Sequence, residues 1–392
     1  MRRSKSRNIT ILVTTVGYIF ATLPLVYSFL VLVIASVGGI VVRDNQDSIL
    51  QMFAILARFI NKTKPLDGDK ASFRSDLVRC LSSIDKYPHY MESIIKRKKQ
   101  LFFMLNNRQR SAAIGYFHRL KEIERLTLEN AKFLDKIKSF AMDRYDIART
   151  ELYSTKGSDG LPIDLMDHFD RDWSTEPYTS GSRKELFDIF FPYLQDRKNI
   201  LVPGSGLGRL ASEISLKNPH ACVDAPELNA AMYVASEFIR TYPQQSATIY
   251  PYLIKFSHWK NGRDQLKPVG LNFSGSGNPN FRYENFLGIS DRKYDAIATL
   301  YFIDTAQNVF EYIQKISELL EVGGVWCNLG PLKWGTAAFA ELSADELLQF
   351  LESNGWVILK FSEGIRNRYN GSEDSLLDSK YKLVGWVAQK KE

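Results

Sequence analysis

Apolar and polar residues divide the chain into three regions with different periodicities. Residues 8–42 carry no charged side chain and are strongly apolar. From about Ser48 to Leu152, apolar residues recur at spacings of three and four, which predicts helices that each bury one face. After Pro162, short apolar runs alternate with helical segments, which predicts a mostly parallel sheet covered by helices.

The alternating region begins with the strand 199–204 and the helix 208–217. A serine cap at Ser343 and a glycine stop at Gly355 bound one further helix. The last two runs, 356–365 and 380–389, predict strands that pair antiparallel at the sheet edge. The other predicted strands are 220–227, 294–304 and 325–332, and the other predicted helices are 228–242 and 306–324.

A loop rich in glycine, serine and proline at 154–162 separates the helical region from the alternating one. We therefore predict three parts: a membrane anchor at 1–43, a helical region at 44–153 and an α/β domain at 154–392. The helical region contains no glycine-rich loop and no paired acids, so we interpret it as a packing layer or lid.

The apolar run at 9–42 is longer than the roughly 20 residues that one bilayer crossing needs. Basic residues before it favour a cytoplasmic N-terminus, and a single span would then place the domain outside the cytosol. Three scattered cysteines, with no CxxC pair, instead indicate a reducing compartment. A hairpin kinked at Pro24 reconciles the two, so we expect a membrane-associated protein whose domain faces the cytosol. If the run is not an anchor, the protein is cytoplasmic.

Net charge gives weak support to nucleic-acid binding. The formal charge is +7, but four of the positive charges lie in the first seven residues, which leaves the body nearly balanced. The run Lys96–Lys99 is a solvated helix face or a short localisation signal. The five histidines show no ligand spacing, so we predict no metal. We expect no nucleic-acid partner, and a homodimer stays open.

Three alternating glycines, Gly204, Gly206 and Gly208, follow the first predicted strand. Glycines at this point let the backbone turn tightly and approach a ligand. Glu227, at the end of the second predicted strand, lies 19 residues beyond Gly208 and suits a ribose hydroxyl, although Asp224 competes for that role. Nicotinamide enzymes and methyltransferases share both features, so the cofactor stays open on these residues alone.

Five segments in order resemble the carnosine N-methyltransferase family: DRDWSTEP, NILVPGSGLGRLASEI, YPYLIKFS, ATLYFIDTAQNVFEYI and GGVWCNLGPL. The resemblance runs from about Ser154 to the C-terminus and implies a Rossmann-like class I methyltransferase fold. It also implies methyl transfer from S-adenosylmethionine to an imidazole nitrogen of carnosine, which gives anserine, or of a related histidine-containing small molecule or peptide.

By position, the resemblance assigns the cofactor contacts. The family usually has glutamine at His168 and aspartate at Asn285, although the amide oxygen of asparagine can still accept a hydrogen bond from adenine. Arg171 would bind the cofactor carboxylate, or else form a surface ion pair with Asp170 or Asp172. The implied contacts are His168, Arg171, Gly204, Gly206, Glu227, Asn285, Phe286 and Ala296.

The resemblance assigns Asp304 as the catalytic, substrate-binding aspartate, which would orient the imidazole. The alternative for Asp304 is a cap on the following helix. Tyr301 and Tyr381 would line the substrate pocket or pack in the core. Gly335 stands where the family offers a histidine to the substrate, which places carnosine itself in doubt. A silent membrane-tethered scaffold and a nicotinamide-linked oxidoreductase remain the alternative functions.

Overall fold

The computed structural model describes residues 70–369, 371–378 and 380–391, so the predicted membrane segment at 9–42 lies outside the described residues. Helices come first along this part of the chain: α1 (Lys70–Phe103), α2 (Asn107–Ala112), α3 (Ile114–Tyr145), α4 (Arg149–Tyr153), α5 (Leu161–Trp173) and α6 (Pro177–Leu194). Alternating elements follow: β1 (Asn199–Leu201), α7 (Arg209–Lys217), β2 (Cys222–Glu227), α8 (Ala230–Thr241), β3 (Ser246–Ile249), β4 (Val269–Asn272), β5 (Asn280–Tyr283), β6 (Tyr294–Leu300), α9 (Val309–Leu319), β7 (Leu320–Gly330), α10 (Ala344–Ser353), β8 (Trp356–Arg368) and β9 (Lys380–Lys390).

Seven strands form one sheet in the order β5-β2-β1-β6-β7-β9-β8. The pairs among the first five strands are parallel, whereas β9 runs antiparallel to both of its neighbours. The chain order reverses beside β1, whose neighbours are β2 and β6. Such a switch point opens a crevice beyond the carboxyl ends of the strands, where ligands of doubly wound sheets bind. The predicted Rossmann-like methyltransferase sheet is confirmed.

Most predicted elements of the α/β region are confirmed. Ser343 caps α10, and its capping box is completed by Glu346. The predicted helix 306–324 is shorter at both ends, because Asn308 caps it and Leu320 already pairs with Tyr294 in the sheet. The chain pattern did not predict β5 or the separate antiparallel hairpin β3–β4.

The helical region shares a hydrophobic core with the α/β region. Leu81 on α1, Leu134 on α3, Phe169 on α5 and Phe238 on α8 belong to one buried cluster. The described residues, from Lys70 onward, belong to one compact unit. Residues on both sides of the predicted boundary at 154 therefore pack together, and α1 and α3 act as a packing layer against α5 and α8.

Two findings concern the described residues alone. None of the helices in this part of the chain is long and apolar enough to cross a membrane. Within the same residues, no group of three or more histidine, cysteine, aspartate or glutamate side chains is arranged to hold a metal ion.

Candidate active site

The turn after β1 is built on left-handed glycines. Gly204, Gly206 and Gly208 have φ values of 60°, 57° and 78°, a region that side chains with a Cβ rarely adopt. A Cβ on Gly204 would lie 2.4 Å from the ring of Phe302, and one on Gly208 would lie 2.3 Å from the ring of Phe281. The turn therefore requires glycine for its backbone conformation and for its packing.

Glu227 lies at the carboxyl end of β2 and faces this turn. Its Oε2 accepts a hydrogen bond from the Gly206 N–H at 2.8 Å, and its Oε1 accepts one from the Asn229 N–H at 2.7 Å. Burial raises the pKa of Glu227, and these two N–H donors offset part of the rise. A carboxylate has about four acceptor sites, so roughly two remain for a ribose diol.

Asp224, the competing acid, has a structural role. It is buried in the middle of β2, where the Tyr294 hydroxyl donates to its Oδ2 at 2.8 Å and the Asn280 amide donates to its Oδ1 at 2.7 Å. Its oxygens are therefore committed to partners within the fold. Of the two candidates, the structure places Glu227 at the glycine turn.

The DRDWS segment ends α5 and holds the glycine turn from one side. The Trp173 indole N–H donates to the Leu207 carbonyl at 3.1 Å. Arg183 on α6 donates to the carbonyl oxygens of Arg171 and Ser174 at 2.8 and 3.0 Å, which satisfies acceptors at the end of α5. These bonds fix the position of the Arg171 backbone relative to the turn.

Arg171 forms a bidentate ion pair with Asp172, through Nε–Oδ1 at 2.6 Å and Nη2–Oδ2 at 2.8 Å. The pair is largely buried rather than a surface pair. Burial lowers the pKa of Arg171, but the Asp172 carboxylate, together with Tyr369 and Tyr301, outweighs it and the net pKa is raised. Burial likewise raises the pKa of Asp172, but Arg171 outweighs it and the net pKa is lowered. Both groups are therefore charged, and the Arg171 Nη2 lies 3.5 Å from the position a Cβ on Gly206 would take.

Asp170, the other predicted ion-pair partner of Arg171, instead faces a tyrosine. Its Oδ2 accepts a hydrogen bond from the Tyr252 hydroxyl at 2.8 Å. Burial raises the pKa of Asp170 to about 6, and the Tyr252 bond offsets part of that rise. The alternative of an Asp170–Arg171 surface pair is therefore wrong.

His168 lies one helical turn from Asp172 on α5 and is held as one neutral tautomer. Its Nδ1 lies 2.7 Å from the Asp164 carbonyl oxygen, and its Nε2 lies 3.2 Å from the Tyr369 hydroxyl. Burial, followed by the charge of Arg171, lowers the pKa of His168 to about 4. A carbonyl only accepts, so Nδ1 carries the proton and the tyrosine hydroxyl donates to Nε2.

Tyr369 is a site residue that the sequence did not reveal. The guanidinium of Arg171 lies 4.7 Å from the centre of its ring, and Tyr301 packs edge-on against it at 5.0 Å. The predicted strand 356–365 runs to Arg368 in the structure, and this extension carries Asn367 and Tyr369 to the site. The predicted strand ended at Ile365, so the sequence pattern gave no signal that Tyr369 belongs to the site.

Tyr301 lies at the carboxyl end of β6 with a left-handed φ of 53°. Its hydroxyl donates to Asn367 Oδ1 at 2.7 Å, and burial raises the pKa of that hydroxyl. Left-handed geometry at a non-glycine residue is strained and is concentrated at functional sites. Tyr381 is half-buried against the same cluster as Tyr301, and the Lys333 Nζ lies 6.0 Å from the centre of its ring.

Asp304 is buried in a short 3-10 turn, Ile303–Thr305, just beyond β6. Its Oδ2 accepts a hydrogen bond from the Lys333 N–H at 3.2 Å. Burial raises the pKa of Asp304 to about 6, and backbone N–H groups and Lys333 offset part of the rise. The alternative of a helix cap is wrong, because the Asn308 side chain caps α9 by accepting from the Phe310 N–H.

Gly335 lies on the loop after β7 that contacts Asp304 through Lys333. It is exposed, and a Cβ built on it would meet no atom within 4 Å. The loop is fixed on its far side, where the Phe339 N–H donates to the Gln307 carbonyl at 2.8 Å. A side chain at position 335 therefore has open space beside the loop that Asp304 holds.

The structure places the three remaining predicted cofactor contacts, Asn285, Phe286 and Ala296, in different positions relative to the glycine turn. Asn285 precedes a 3-10 turn, and its Oδ1 accepts from the Leu287 N–H at 3.1 Å. Phe286 is buried edge-on against Phe302 at 5.3 Å, which places it under the glycine turn. Ala296 is fully buried inside β6, paired with β1 and β7, so the structure does not bring it to the carboxyl edge.

A cavity opens between the glycine turn, α5, α6 and the end of β8. Its walls include Asp170, Arg171, Gly204, Tyr301, Asn367 and Tyr369. The positive charge of Arg171 suits the carboxylate of S-adenosylmethionine, and the glycine turn allows its close approach. Glu227 does not line this cavity, but it is bonded to the Gly206 N–H of the turn and suits the ribose hydroxyls. The residues present therefore fit this cofactor.

The family model described as carnosine N-methyltransferase matches residues 161–392. The chain belongs to the carnosine N-methyltransferase family. The matched range covers α5 with the DRDWS segment and the whole seven-stranded sheet. Membership confirms the predicted family and its cofactor, S-adenosylmethionine, over the nicotinamide alternative that the glycine turn alone left open.

The chain is similar to several curated carnosine N-methyltransferases. It is 32% identical over 244 residues to that of Drosophila melanogaster, which covers 56% of this chain and 53% of that protein. It is 27% identical over 363 residues to that of Schizosaccharomyces pombe, which covers 80% of this chain and 95% of that protein. The chain thus spans about half the length of the fly relative and nearly all of the yeast one.

Solved structures give a weaker likeness. The N-methyltransferase NodS from Bradyrhizobium japonicum, in complex with S-adenosyl-L-homocysteine, is 12% identical with a TM-score of 0.36. That alignment covers 59% of this chain and 97% of NodS. Membership in the carnosine N-methyltransferase family rests on the family match, and the fold rests on the strand order.

Proposed function

We propose that this protein transfers a methyl group from S-adenosylmethionine to an imidazole nitrogen of carnosine, giving anserine, or of a related histidine-containing small molecule or peptide. The observation that carries the proposal is the buried carboxyl of Asp304, which lies at the carboxyl end of β6 and caps no helix. A carboxylate that one backbone N–H holds in place, with acceptor sites left over, is suited to orient a substrate N–H group.

In this proposal the cofactor lies along the glycine turn. Glu227 accepts hydrogen bonds from the ribose hydroxyls, and Arg171 faces the methionine carboxylate. Bound S-adenosylmethionine supplies an electrophilic methyl group on a positively charged sulfur. The Arg171 guanidinium lies over the ring of Tyr369, and His168 holds that ring through the tyrosine hydroxyl. The two contacts keep the direction of the Arg171 side chain.

Asp304 selects the reactive nitrogen of the substrate. Its carboxylate accepts a hydrogen bond from one imidazole N–H, which fixes the tautomer and leaves the lone pair of the other nitrogen free. Holding that lone pair in line with the methyl group makes the reaction effectively unimolecular and lowers the entropic part of its barrier. Transfer would break the sulfur–methyl bond as the N–C bond forms, so that S-adenosylhomocysteine would leave with the electron pair of the broken bond. The positive charge would then lie on the imidazole ring, whose N–H proton would pass to Asp304 or to water.

Radiolabelled methyl transfer tests the proposal most directly. Full-length protein is incubated with labelled S-adenosylmethionine and a panel of imidazole dipeptides, and in parallel with cell extract. Label in carnosine, with anserine identified by mass spectrometry, is the expected result. If label enters only another histidine compound, the proposed methyl transfer is supported but carnosine is not the substrate. Calorimetric binding of S-adenosylhomocysteine without any transfer would support the silent scaffold.

We also propose that residues 9–42 associate with a membrane and that the catalytic part faces the cytosol. The support is the charge-free apolar run in the sequence, flanked by Arg2, Arg3 and Lys5. Membrane fractionation of the full chain against a variant that lacks residues 1–43 tests it. Recovery of both in the soluble fraction would remove the anchor. Light scattering of the same samples measures whether the protein is a homodimer.

A further inference from the structure

The turn that joins α1 to α3 is exposed to an unusual degree. We call residues 93–121, which include α2, the basic tip. The helix α2 within it has no buried residue. A six-residue helix gains little from its own hydrogen bonds, so helices of this length normally depend on packing. Within the described chain, the outer surface of the tip has no such packing partner.

Large apolar side chains project from the basic tip into solvent. Met104 is 80% exposed, Phe103 55%, Leu101 51%, Ile114 47% and Leu105 36%. All five lie within fourteen residues at one helix junction, whereas single exposed apolar residues are ordinary on a protein surface. A cluster of this kind marks a surface that binds another apolar phase or partner.

Charge on the basic tip has one sign. Residues 93–121 contain eight lysines and arginines and no aspartate or glutamate. The tip therefore has a charge of +8, which exceeds the net charge of +7 of the whole chain. The rest of the chain has a net charge of 7 − 8 = −1. The Lys96–Lys99 run is therefore one part of a larger basic surface.

Several of these cations remain available to a partner. Lys96, Arg97 and Arg108 are exposed and form no ion pair with the described residues. Lys99 is paired with Glu124 at 2.7 Å, and the Lys98 ammonium lies over the ring of Phe256. The free cations thus lie along the end of α1 and the start of α2, next to the exposed apolar side chains.

We propose that the basic tip binds the surface of an anionic lipid bilayer. Apolar side chains surrounded by lysine and arginine match the boundary between acyl chains and anionic headgroups. A second copy of this chain is a poor occupant, because it would bring two strongly positive surfaces together. Nucleic acid is also a poorer occupant, because four of the five exposed apolar side chains carry no ring and Phe103 alone among them could stack on a base.

A fluorescent probe on the full-length protein tests this binding locally. Met104→Cys, in a Cys222→Ala background, is labelled with an environment-sensitive fluorophore, since the other two cysteines are buried. Val322→Cys, at a residue 62% exposed on β7, is the matched control. With vesicles of phosphatidylcholine and phosphatidylserine, the emission at position 104 should shift to the blue and the emission at position 322 should not.

Charge variants identify the headgroup contribution. Lys96→Gln, Arg97→Gln and Arg108→Gln together should raise the lipid concentration for half-maximal shift about a hundredfold. The control variant removes the same charge from exposed positions elsewhere, by Lys136→Gln, Lys360→Gln and Lys382→Gln. It should leave the lipid concentration for half-maximal shift unchanged. Both triple variants should keep the methyl-transfer rate and thermal unfolding midpoint of the parent protein.

The probe at position 104 also reports the outcomes that would overturn the proposal. No shift with anionic vesicles, or an equal shift with pure phosphatidylcholine, rules out an anionic bilayer as the partner. A shift that depends on protein concentration without lipid assigns the tip to a second copy of the chain. A shift with transfer RNA at lower concentration than with vesicles assigns it to nucleic acid. Because the probe reads position 104 alone, anchoring by residues 9–42 does not produce the expected shift.

Discussion

The Asp304 carboxylate accepts a hydrogen bond from the Lys333 N–H at 3.2 Å. This bond joins the turn after β6 to the loop after β7, and it places the acid two residues from the loop position of Gly335. One carboxyl oxygen is thus fixed by the backbone of the loop after β7, while burial raises the pKa of the group to about 6. Asp304 and Gly335 are therefore the positions at which substrate choice can be tested.

Asp304→Asn should lower kcat/KM for the methyl acceptor by about ten- to a hundredfold, the value of a hydrogen bond to a charged group. Asparagine has nearly the same shape and retains an oxygen that can accept from Lys333, so affinity for S-adenosylmethionine should stay unchanged. Steady-state kinetics and calorimetry measure the two quantities. Equal loss of turnover and of cofactor affinity would mean that Asp304 has a structural role.

The pH profile of kcat/KM should fall as pH decreases through about 6. Asp304 must be ionised to accept the substrate N–H, and its raised pKa places that loss near pH 6. The substrate imidazole, with an ordinary pKa of about 6.5, must be neutral as well, so the acidic limb should reflect two protonations. In Asp304→Asn, the acidic limb should reflect a single protonation, that of the substrate imidazole. A variant with an unchanged slope would exclude Asp304 as the titrating group.

Gly335→His should raise kcat/KM for carnosine relative to the parent protein, because the family offers a histidine at this position. Open space around the position allows the ring without displacing any atom. Gly335→Ala is the control, since it adds a Cβ without the imidazole. If both variants behave alike toward carnosine, the missing histidine does not explain the choice of substrate.

Gly204→Ala should destabilise the fold and abolish binding of S-adenosylhomocysteine. Its Cβ would lie 2.4 Å from the Phe302 ring, and alanine resists the left-handed φ of 60°. A cost of about 1–3 kcal/mol in the free energy of unfolding is expected for such overpacking. Urea denaturation measures it, with Gly335→Ala as the same substitution in open space. Similar stability for both variants would contradict the assigned geometry of the turn.

His168→Gln should remove part of the acid sensitivity of the fold. The pKa of His168 falls to about 4 in the folded chain, below the ordinary value of about 6.5. The neutral ring therefore contributes stability above pH 6.5, and this stability is lost as pH falls toward 4. Urea denaturation at pH 7 and pH 5 should show a smaller difference for His168→Gln than for the parent. His118→Gln, at an exposed residue, controls for loss of an imidazole.

Short-range patterns were sufficient for the elements that position the site. The glycine turn, the acid at the end of the second strand and the capped helix at Ser343 are set by local conformational preference and by alternation of apolar residues. The placement of Asp304 at a strand end also followed from pattern. Its role did not, because an aspartate before a helix has the same local signature whether it caps the helix or binds a ligand.

Residues that meet across long sequence separations could not be assigned in this way. Tyr369 reaches His168 only because β8 continues to Arg368 beside β9, and Asp172 rather than Asp170 pairs with Arg171 because Tyr252 turns Asp170 away. Pairing register and competition for partners are properties of the packed chain. They carry no periodic signal in the sequence.

The sequence by itself determined the alternating α/β order, the glycine turn with Glu227, the family, and the single-signed charge of residues 93–121. Each of these depends on residue type and on spacing along the chain. Only the tertiary structure decided that Asp304 contacts Lys333 instead of capping α9, that Ala296 lies inside the sheet, and that the apolar side chains of the basic tip face solvent. Burial and hydrogen-bond partners depend on which segments pack together, and local sequence does not specify this.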